Sequence, residues 1–174
     1  MTNKVRIYLG AGLFNERDQF YNKYLAERIR GHHFMGELVD LYLPQENQEI
    51  NDKNSFASSV NIANADTNKL LESDILVAVL DGDTIDAGLA SEIGIAYAKG
   101  IPIVGLYTDI RQFGTNNKDK IAALNDVCEN QFSYINLFTV GLIKENGVIV
   151  RNSDSLMAEL SMLVKDLFAF KESL

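Results

Sequence analysis

Residues 81–100 read DGDTIDAGLASEIGIAYAKG, and from 87 to 98 every side chain is small or apolar except Ser91, Tyr97 and Glu92. A carboxylate in such surroundings costs several kcal/mol unless it is paired, so one that persists there has partners or a use. Glu92 has two readings. Near the start of a helix it complements the positive end of the macrodipole; desolvated, it is a nucleophile or an acid–base group. Asp86, at the end of the acidic loop, is either the cap of that helix or a second carboxylate of a site. Asp66 lies between Ile62 and Leu70, at the edge of a helical apolar stripe of Phe56, Val60, Ala63, Leu70 and Leu71. A solvated aspartate belongs on the opposite face, so Asp66 reads as a pocket residue. Tyr8, with Gly10 and Gly12 beside it, fits a core or a site.

Other chemistries lack their residues. YLGAG, residues 8–12, is short of the full GxGxxG spacing and no GKS or GKT follows, so Gly10 and Gly12 read as letting backbone approach a ligand closely. His32 and His33 are adjacent at the end of a predicted helix and cannot build a serine–histidine relay. Cys128 is the single cysteine and reads as a helix-face thiol; with two histidines it makes a poor metal set, and no metal or cofactor is expected. Carboxylate chemistry remains.

The elements that must position these groups alternate. A strand at 5–9 leads through glycines into a helix ending at Gly31, and a second strand over 38–43 stops at Pro44. The polar segment 44–55 reads as a long loop before a helix over 56–72. The apolar run 74–80 is typical of a strand buried on both faces of a parallel sheet. The helix carrying Glu92, expected to be buried on all sides, and a strand at 101–106 repeat the unit. A helix over 118–129 and a short strand at 134–137 complete five β-α units. Residues 141–150, GLIKENGVIV, read as a hairpin turning at Asn146-Gly147, and a closing helix over 153–170 is capped by Ser153. The pattern predicts one doubly wound, flavodoxin/Rossmann-like α/β domain with a five-stranded, mainly parallel sheet. Ligands of such sheets sit outside the carboxyl ends of the strands, near a topological switch point.

Bulk composition excludes several classes of partner. The 174 residues suffice for one core, and the formal charge of −8, with no Lys/Arg cluster to offset it, repels nucleic-acid backbones and anionic lipid. No apolar run approaches the length of a membrane span. The opening residues MTNKVRIYLGAG move into a strand pattern without a leader's apolar region, so a cytoplasmic location is expected.

The segments YLGAGLF (8–14), PQENQ (44–48), ADTNKLLESDILVAVLDG (65–82), DAGLASEIGIAYAKGIPIV (86–104) and NLFTVG (136–141) follow one another in a known order. Over most of its length, to about residue 141, the chain resembles the nucleoside 2-deoxyribosyltransferases. The resemblance implies that Glu92, in a DxGxxxE element with Asp86 and Gly88, attacks the anomeric carbon of a deoxynucleoside and expels the base. A covalent deoxyribosyl ester then waits for a second base, by the logic of retaining glycosidases. It further implies that Asp66 and Asp86 flank the base, one of them as general acid, and that Tyr8 orients the nucleophile. Gln48 contacts the base, with Gly10, Leu13, Phe14 and Gly88 also at the substrate. Asn136 reaches the sugar 5′-hydroxyl from a neighbouring subunit, so a homodimer or higher homo-oligomer with shared sites is expected.

Three carboxyl groups converging on one pocket do not all ionise cheaply, so one holds a proton near neutrality. Related nucleotide hydrolases carry a more basic, serine-rich first loop; GAGLFNER has only Arg17, which favours deoxynucleosides and free nucleobases as partners over nucleotides. Two alternatives use the same residues differently. A hydrolase of the same superfamily would pass the sugar to water, and a non-catalytic nucleotide-binding module would release no base.

Overall fold

The computed structural model describes residues 4–52 and 56–173. Strand β1 (Val5–Gly10) is buried along nearly all of its length. Its side chains alternate, so Val5, Ile7 and Leu9 join one hydrophobic cluster and Tyr8 the other. Helix α1 (Glu16–Arg30) starts at Asn15, whose side chain accepts the Asp18 amide at 3.0 Å. It carries acidic residues in its first turn and arginines in its last, the order its dipole favours. Strand β2 (Val39–Tyr42) follows.

Residues 44–52 are locally helical rather than an open loop. A 3₁₀ turn spans Pro44–Glu46 and a short helix α2 spans Gln48–Asn51, because Pro44 sits where a helix tolerates proline and Asn47 caps the second turn. The end of the expected loop, 53–55, lies outside the described residues. Helix α3 (Ser59–Leu71) begins at the Ser58 cap, later than the expected residue 56. Its apolar stripe does not form the core: Leu70 is its one buried residue, while Phe56, Val60 and Leu71 are exposed.

Strand β3 (Ile75–Val79) is buried throughout. Helix α4 (Ala87–Lys99), capped by Asp86, buries Leu89, Ile93 and Ala96 and exposes Ser91, Tyr97 and Ala98, so it is one-sided rather than enclosed. Gly100 ends it at φ 74°, the left-handed conformation glycine adopts at no cost. Strand β4 (Ile103–Leu106) follows.

The chain departs from expectation after β4. Helix α5 (Lys118–Ala122) is short and ends in a 3₁₀ turn at Ala123–Asn125, and neither piece has a buried residue to extend its packing. Cys128 therefore lies exposed in a turn at φ 67°, not on a helix face. The strand expected at 134–137 and the hairpin at 141–150 are replaced by helix α6 (Leu137–Glu145) and strand β5 (Gly147–Val150). Gly147 is there for close approach: a Cβ on it would stand 1.8 Å from the Ile103 carbonyl oxygen. Helix α7 (Ser153–Glu172) closes the fold, capped by Asn152 rather than Ser153.

The five strands form one all-parallel sheet in the order β2-β1-β3-β4-β5. Helices α1 and α7 cover one face, packing Leu25, Ile29, Leu156 and Leu160 on Ile7, Val77 and Val104. On the other face Leu70, Leu89, Ile93 and Ile143, from α3, α4 and α6, pack on Tyr8, Leu76 and Ile103. The order in which strands are added reverses between β1 and β3, which makes the crevice at their carboxyl ends the switch point.

Candidate active site

Tyr8 and Gly10 share a face of β1, because side chains two apart on a strand point the same way. That face looks toward α4. Having no side chain, Gly10 leaves the space into which Glu92 folds: a Cβ there would lie 2.7 Å from Glu92 Oε2 and 2.8 Å from Leu89 Cδ1. Glu92 is one turn beyond Leu89, so the burial that anchors α4 to the sheet also fixes where its carboxylate goes. It lies past the helix's first turn, and the dipole therefore contributes little.

The Tyr8 hydroxyl donates to Glu92 Oε1 at 2.6 Å. Burial first, and then the charges of Asp66 and Asp86, raise Glu92 against the lowering effect of the Tyr8 hydrogen bond, leaving it at about 7. Tyr8 is held far above the ordinary phenol range, first by burial and then by Glu92. The proton of this pair therefore belongs to tyrosine, and Glu92 is the group that titrates.

Asp86 Oδ1 accepts the Leu89 amide at 2.9 Å, so its capping role is real while its charge still reaches Glu92. Gly88 keeps that cap open, since a Cβ there would meet Asp86 Oδ1 at 3.0 Å. Asp66 projects from α3, half-buried, and its Oδ1 is buried with no hydrogen-bond partner among the described residues. Burial raises the Asp66 carboxyl, and the polar Tyr42 hydroxyl nearby lowers it. An orphaned acceptor of this kind costs free energy until a ligand satisfies it.

The structure thus brings Tyr8, Gly10, Asp66, Asp86, Gly88 and Glu92 together at the switch point. The remaining candidates sit elsewhere. Leu13 is half-buried, and its carbonyl accepts from the Gln19 side chain at 2.9 Å. Phe14 is 78% exposed on the same loop. Gln48 is exposed as the first residue of α2. Asn136 caps α6, its Oδ1 accepting the Phe138 and Thr139 amides at 2.9 and 3.4 Å, and stands exposed beside Leu137 and Phe138.

Sequence reasoning missed Tyr42. The β1–β2 register pairs Tyr42 with Tyr8, and the two rings stand 5.3 Å apart. Asn47 Nδ2 donates to the Tyr42 hydroxyl at 3.0 Å. Its signal was present, a tyrosine at the carboxyl end of a strand just before Pro44, but only strand pairing reveals which face it takes.

Two clefts open near the strand ends, and neither is lined by a member of the carboxylate cluster. One of about 810 Å³ lies on the α1 side, between Gly12, Tyr21, Asp81 and Thr108. Asp81 is tied up there, accepting the Thr108 amide and hydroxyl at 2.6 and 2.7 Å. The other, about 310 Å³, lies between Tyr107, Tyr134, Lys144 and Arg151. Among the described residues no group of three or more His, Cys, Asp or Glu side chains is placed to hold a metal ion.

Residues 7–137 match the sequence model of the family described as Nucleoside 2-deoxyribosyltransferase. Among solved structures, a conserved protein from Enterococcus faecalis V583 is 55% identical over 91% of this chain and 98% of its own, with a TM-score of 0.86. A 2-desoxiribosyltransferase from Leishmania mexicana shares the fold at 19% identity and TM-score 0.59, covering 92% of this chain and 97% of its own. So does a 2-deoxyribosyltransferase from the psychrotolerant bacterium Bacillus psychrosaccharolyticus, at 20% identity and TM-score 0.57, covering 87% and 90%. No curated protein sequence matches the chain.

Proposed function

The chain belongs to the nucleoside 2-deoxyribosyltransferase family, and from that premise we propose that it moves the 2-deoxyribosyl group between nucleobases by double displacement. The intermediate is a deoxyribosyl ester on Glu92. The observation that carries this reading is the Glu92 carboxylate itself, half-buried over Gly10, held by Tyr8 on one oxygen and raised to about 7. At neutral pH a large share is ionised, and such a carboxylate gives up little solvation when it attacks.

Tyr8 occupies Oε1, so Oε2 is the attacking atom. As its bond to C1′ forms, the C1′–N bond breaks, and the departing purine takes a proton at a ring nitrogen. Asp86 Oδ1 is committed to the α4 cap, whereas Asp66 Oδ1 has no hydrogen-bond partner among the described residues. That difference supports Asp66 as the general acid and Asp86 as the group that shapes the cap and the local field. The acceptor base then attacks C1′, returning its proton to Asp66 and freeing Glu92.

The 174 residues act as one transferase domain on deoxynucleosides and free nucleobases, in a cytoplasmic salvage role. Among the described residues no helix is long and apolar enough to cross a membrane. Leu137 and Phe138, 81% and 76% exposed beside Asn136, support a second copy covering this end of α6 and Asn136 reaching the partner's sugar. In this reading Gln48 contacts the base, and Leu13 and Phe14 contact the substrate.

The test is chromatography of the purified protein with deoxyinosine, with and without adenine. Deoxyadenosine formed only with adenine is the expected result; hypoxanthine and free deoxyribose at an adenine-independent rate would identify a hydrolase instead. Glu92→Ala, folded, loses turnover by several orders of magnitude, because the covalent route itself is gone. Normal activity in that variant refutes the mechanism.

A further inference from the structure

Residues 11–15 leave the sheet at the carboxyl end of β1, and residues 44–52 leave it at the carboxyl end of β2. A run of amide hydrogen bonds through α1 joins them. Asn22 Nδ2 donates to the Gly12 carbonyl at 2.9 Å and to Gln45 Oε1 at 3.0 Å. Gln45 Nε2 donates to the Gln19 carbonyl at 3.0 Å, and Gln19 Nε2 to the Leu13 carbonyl at 2.9 Å. The run therefore starts on one carbonyl of the first segment and ends on the next.

Every amide in the run has its orientation forced. A backbone carbonyl only accepts, so the end of a side-chain amide that faces one is its NH2 group. That places the nitrogen of Asn22 on Gly12, of Gln45 on Gln19 and of Gln19 on Leu13. Gln45 then turns its oxygen toward Asn22, where the second Asn22 proton needs an acceptor. Asn22 itself is 2% exposed. It stands three, four and seven residues before Leu25, Ala26 and Ile29, on the stripe of α1 that packs against the sheet. A polar side chain at such a position persists because its protons are satisfied.

The second segment is itself tied together. Asn51 Nδ2 donates to the Pro44 carbonyl at 2.7 Å and to the Asn47 carbonyl at 3.0 Å, so the turn holding Gln45 and the helix starting at Gln48 form one piece. We propose that Asn22 is a positioning residue for the substrate: it locks the loop bearing Leu13 and Phe14 to the piece bearing Gln48, so that the two hold one spacing when a nucleobase enters. This rests on the base-exchange reading above, in which those three residues touch the substrate. Asn22 acts on binding rather than on the nucleophile, because Tyr8 and Glu92 belong to the opposite face of β1. None of Asn22, Gln45 and Gln19 titrates, so the lock is the same on both sides of the Glu92 ionisation.

The experiment compares wild type, Asn22→Leu, Gln45→Met and the double variant. KM and kcat are measured for exchange from deoxyinosine to adenine as a function of pH, and backbone hydrogen exchange is followed by mass spectrometry. Each single variant is expected to raise KM for deoxyinosine roughly tenfold, the worth of one hydrogen bond. Its kcat should stay within about twofold of wild type, with the Glu92 limb unmoved. Amides of residues 11–15 and 44–52 should exchange faster together, while those of β3 do not change. Both substitutions open the same joint, so the double variant should fall within about twofold of Asn22→Leu.

An unmoved KM, a moved pH limb, losses that multiply in the double variant, or faster exchange confined to one of the two segments overturns the assignment. If the wild type exchanges no bases, the function fails, while hydrogen exchange still decides whether Asn22 joins the two segments. Should Asn22→Leu not fold, Gln45→Met carries the test, since Gln45 is only half-buried and methionine keeps its length.

Discussion

Replacing Gly10 with alanine tests whether the space beneath Glu92 exists for the reaction. The backbone of Gly10 lies outside the left-handed region, so an alanine there is unstrained and the effect is that of one methyl group. That methyl would sit 2.7 Å from Glu92 Oε2, 2.8 Å from Leu89 Cδ1 and 3.4 Å from Leu76 Cδ1. Ordinary contact begins near 3.4 Å, so the carboxylate must retreat by about 0.7 Å. Leu89 is buried between α4 and the sheet and yields only by overpacking its neighbours, at about 1–3 kcal/mol.

Glu92 yields by giving up its 2.6 Å bond to Tyr8 and its aim at C1′. A misplacement of that size is worth roughly 100-fold in rate. Gly10→Ala is therefore expected to lower kcat for exchange about 100-fold and the melting midpoint by roughly 2–10 °C, both measured on one preparation. Gly94→Ala, on the helix that carries Glu92 and with nothing within 4 Å of its would-be Cβ, is the control. It should leave the rate alone and stabilise by about 0.5–1 kcal/mol. A folded Gly10→Ala protein with kcat within about twofold of wild type would refute the argument that this glycine positions the nucleophile.

A raised Glu92 has two consequences for pH. The proposed mechanism uses its ionised form, so kcat/KM should rise with pH through an apparent value near 7, and Tyr8→Phe, which removes the hydrogen bond lowering Glu92, should move that limb upward. A pH–rate profile with no limb between about 6 and 8 in wild type would sink this. Stability follows the opposite sign: folded Glu92 keeps its proton to higher pH than the unfolded chain, so its contribution is greatest below the ordinary glutamate range and is lost as pH rises through about 7. Denaturant midpoints of Glu92→Gln should lack that decline, and equal pH dependence in both proteins would contradict it. Gly147→Ala has no escape from the Ile103 carbonyl, because both partners are backbone in paired strands. The expected loss is at least the roughly 3 kcal/mol at the top of the overpacking range, read by urea unfolding; a smaller loss would mean that β5 pairs more loosely than its register indicates.

Much of the fold was legible because its signals are local. The apolar run of β3, the Asp86 cap and the Gly100 stop of α4 each state their structure within a few residues. The stretch 141–150 misled because Asn-Gly suits a hairpin turn by local rule, whereas pairing with β4 across the sheet put the glycine there for close backbone approach instead. The apolar residues of α3 showed helical spacing, but nothing local says that Val60 and Phe56 face outward.

Glu92 and Asp66 stood out in the sequence as carboxylates against apolar residues, since an unpaired charge there carries its own physical cost, while Asp86 and Tyr8 fitted a cap and a core as well as a site. Their number and type were thus decided by the sequence alone. What it could not determine is which oxygen each group presents. That follows from the β1–β2 register that sets Tyr42 beside Tyr8 and from the missing side chain of Gly10 that admits Glu92. These are contacts between segments far apart in the chain, and hydrogen-bond direction and steric room exist only once tertiary packing has brought such segments together.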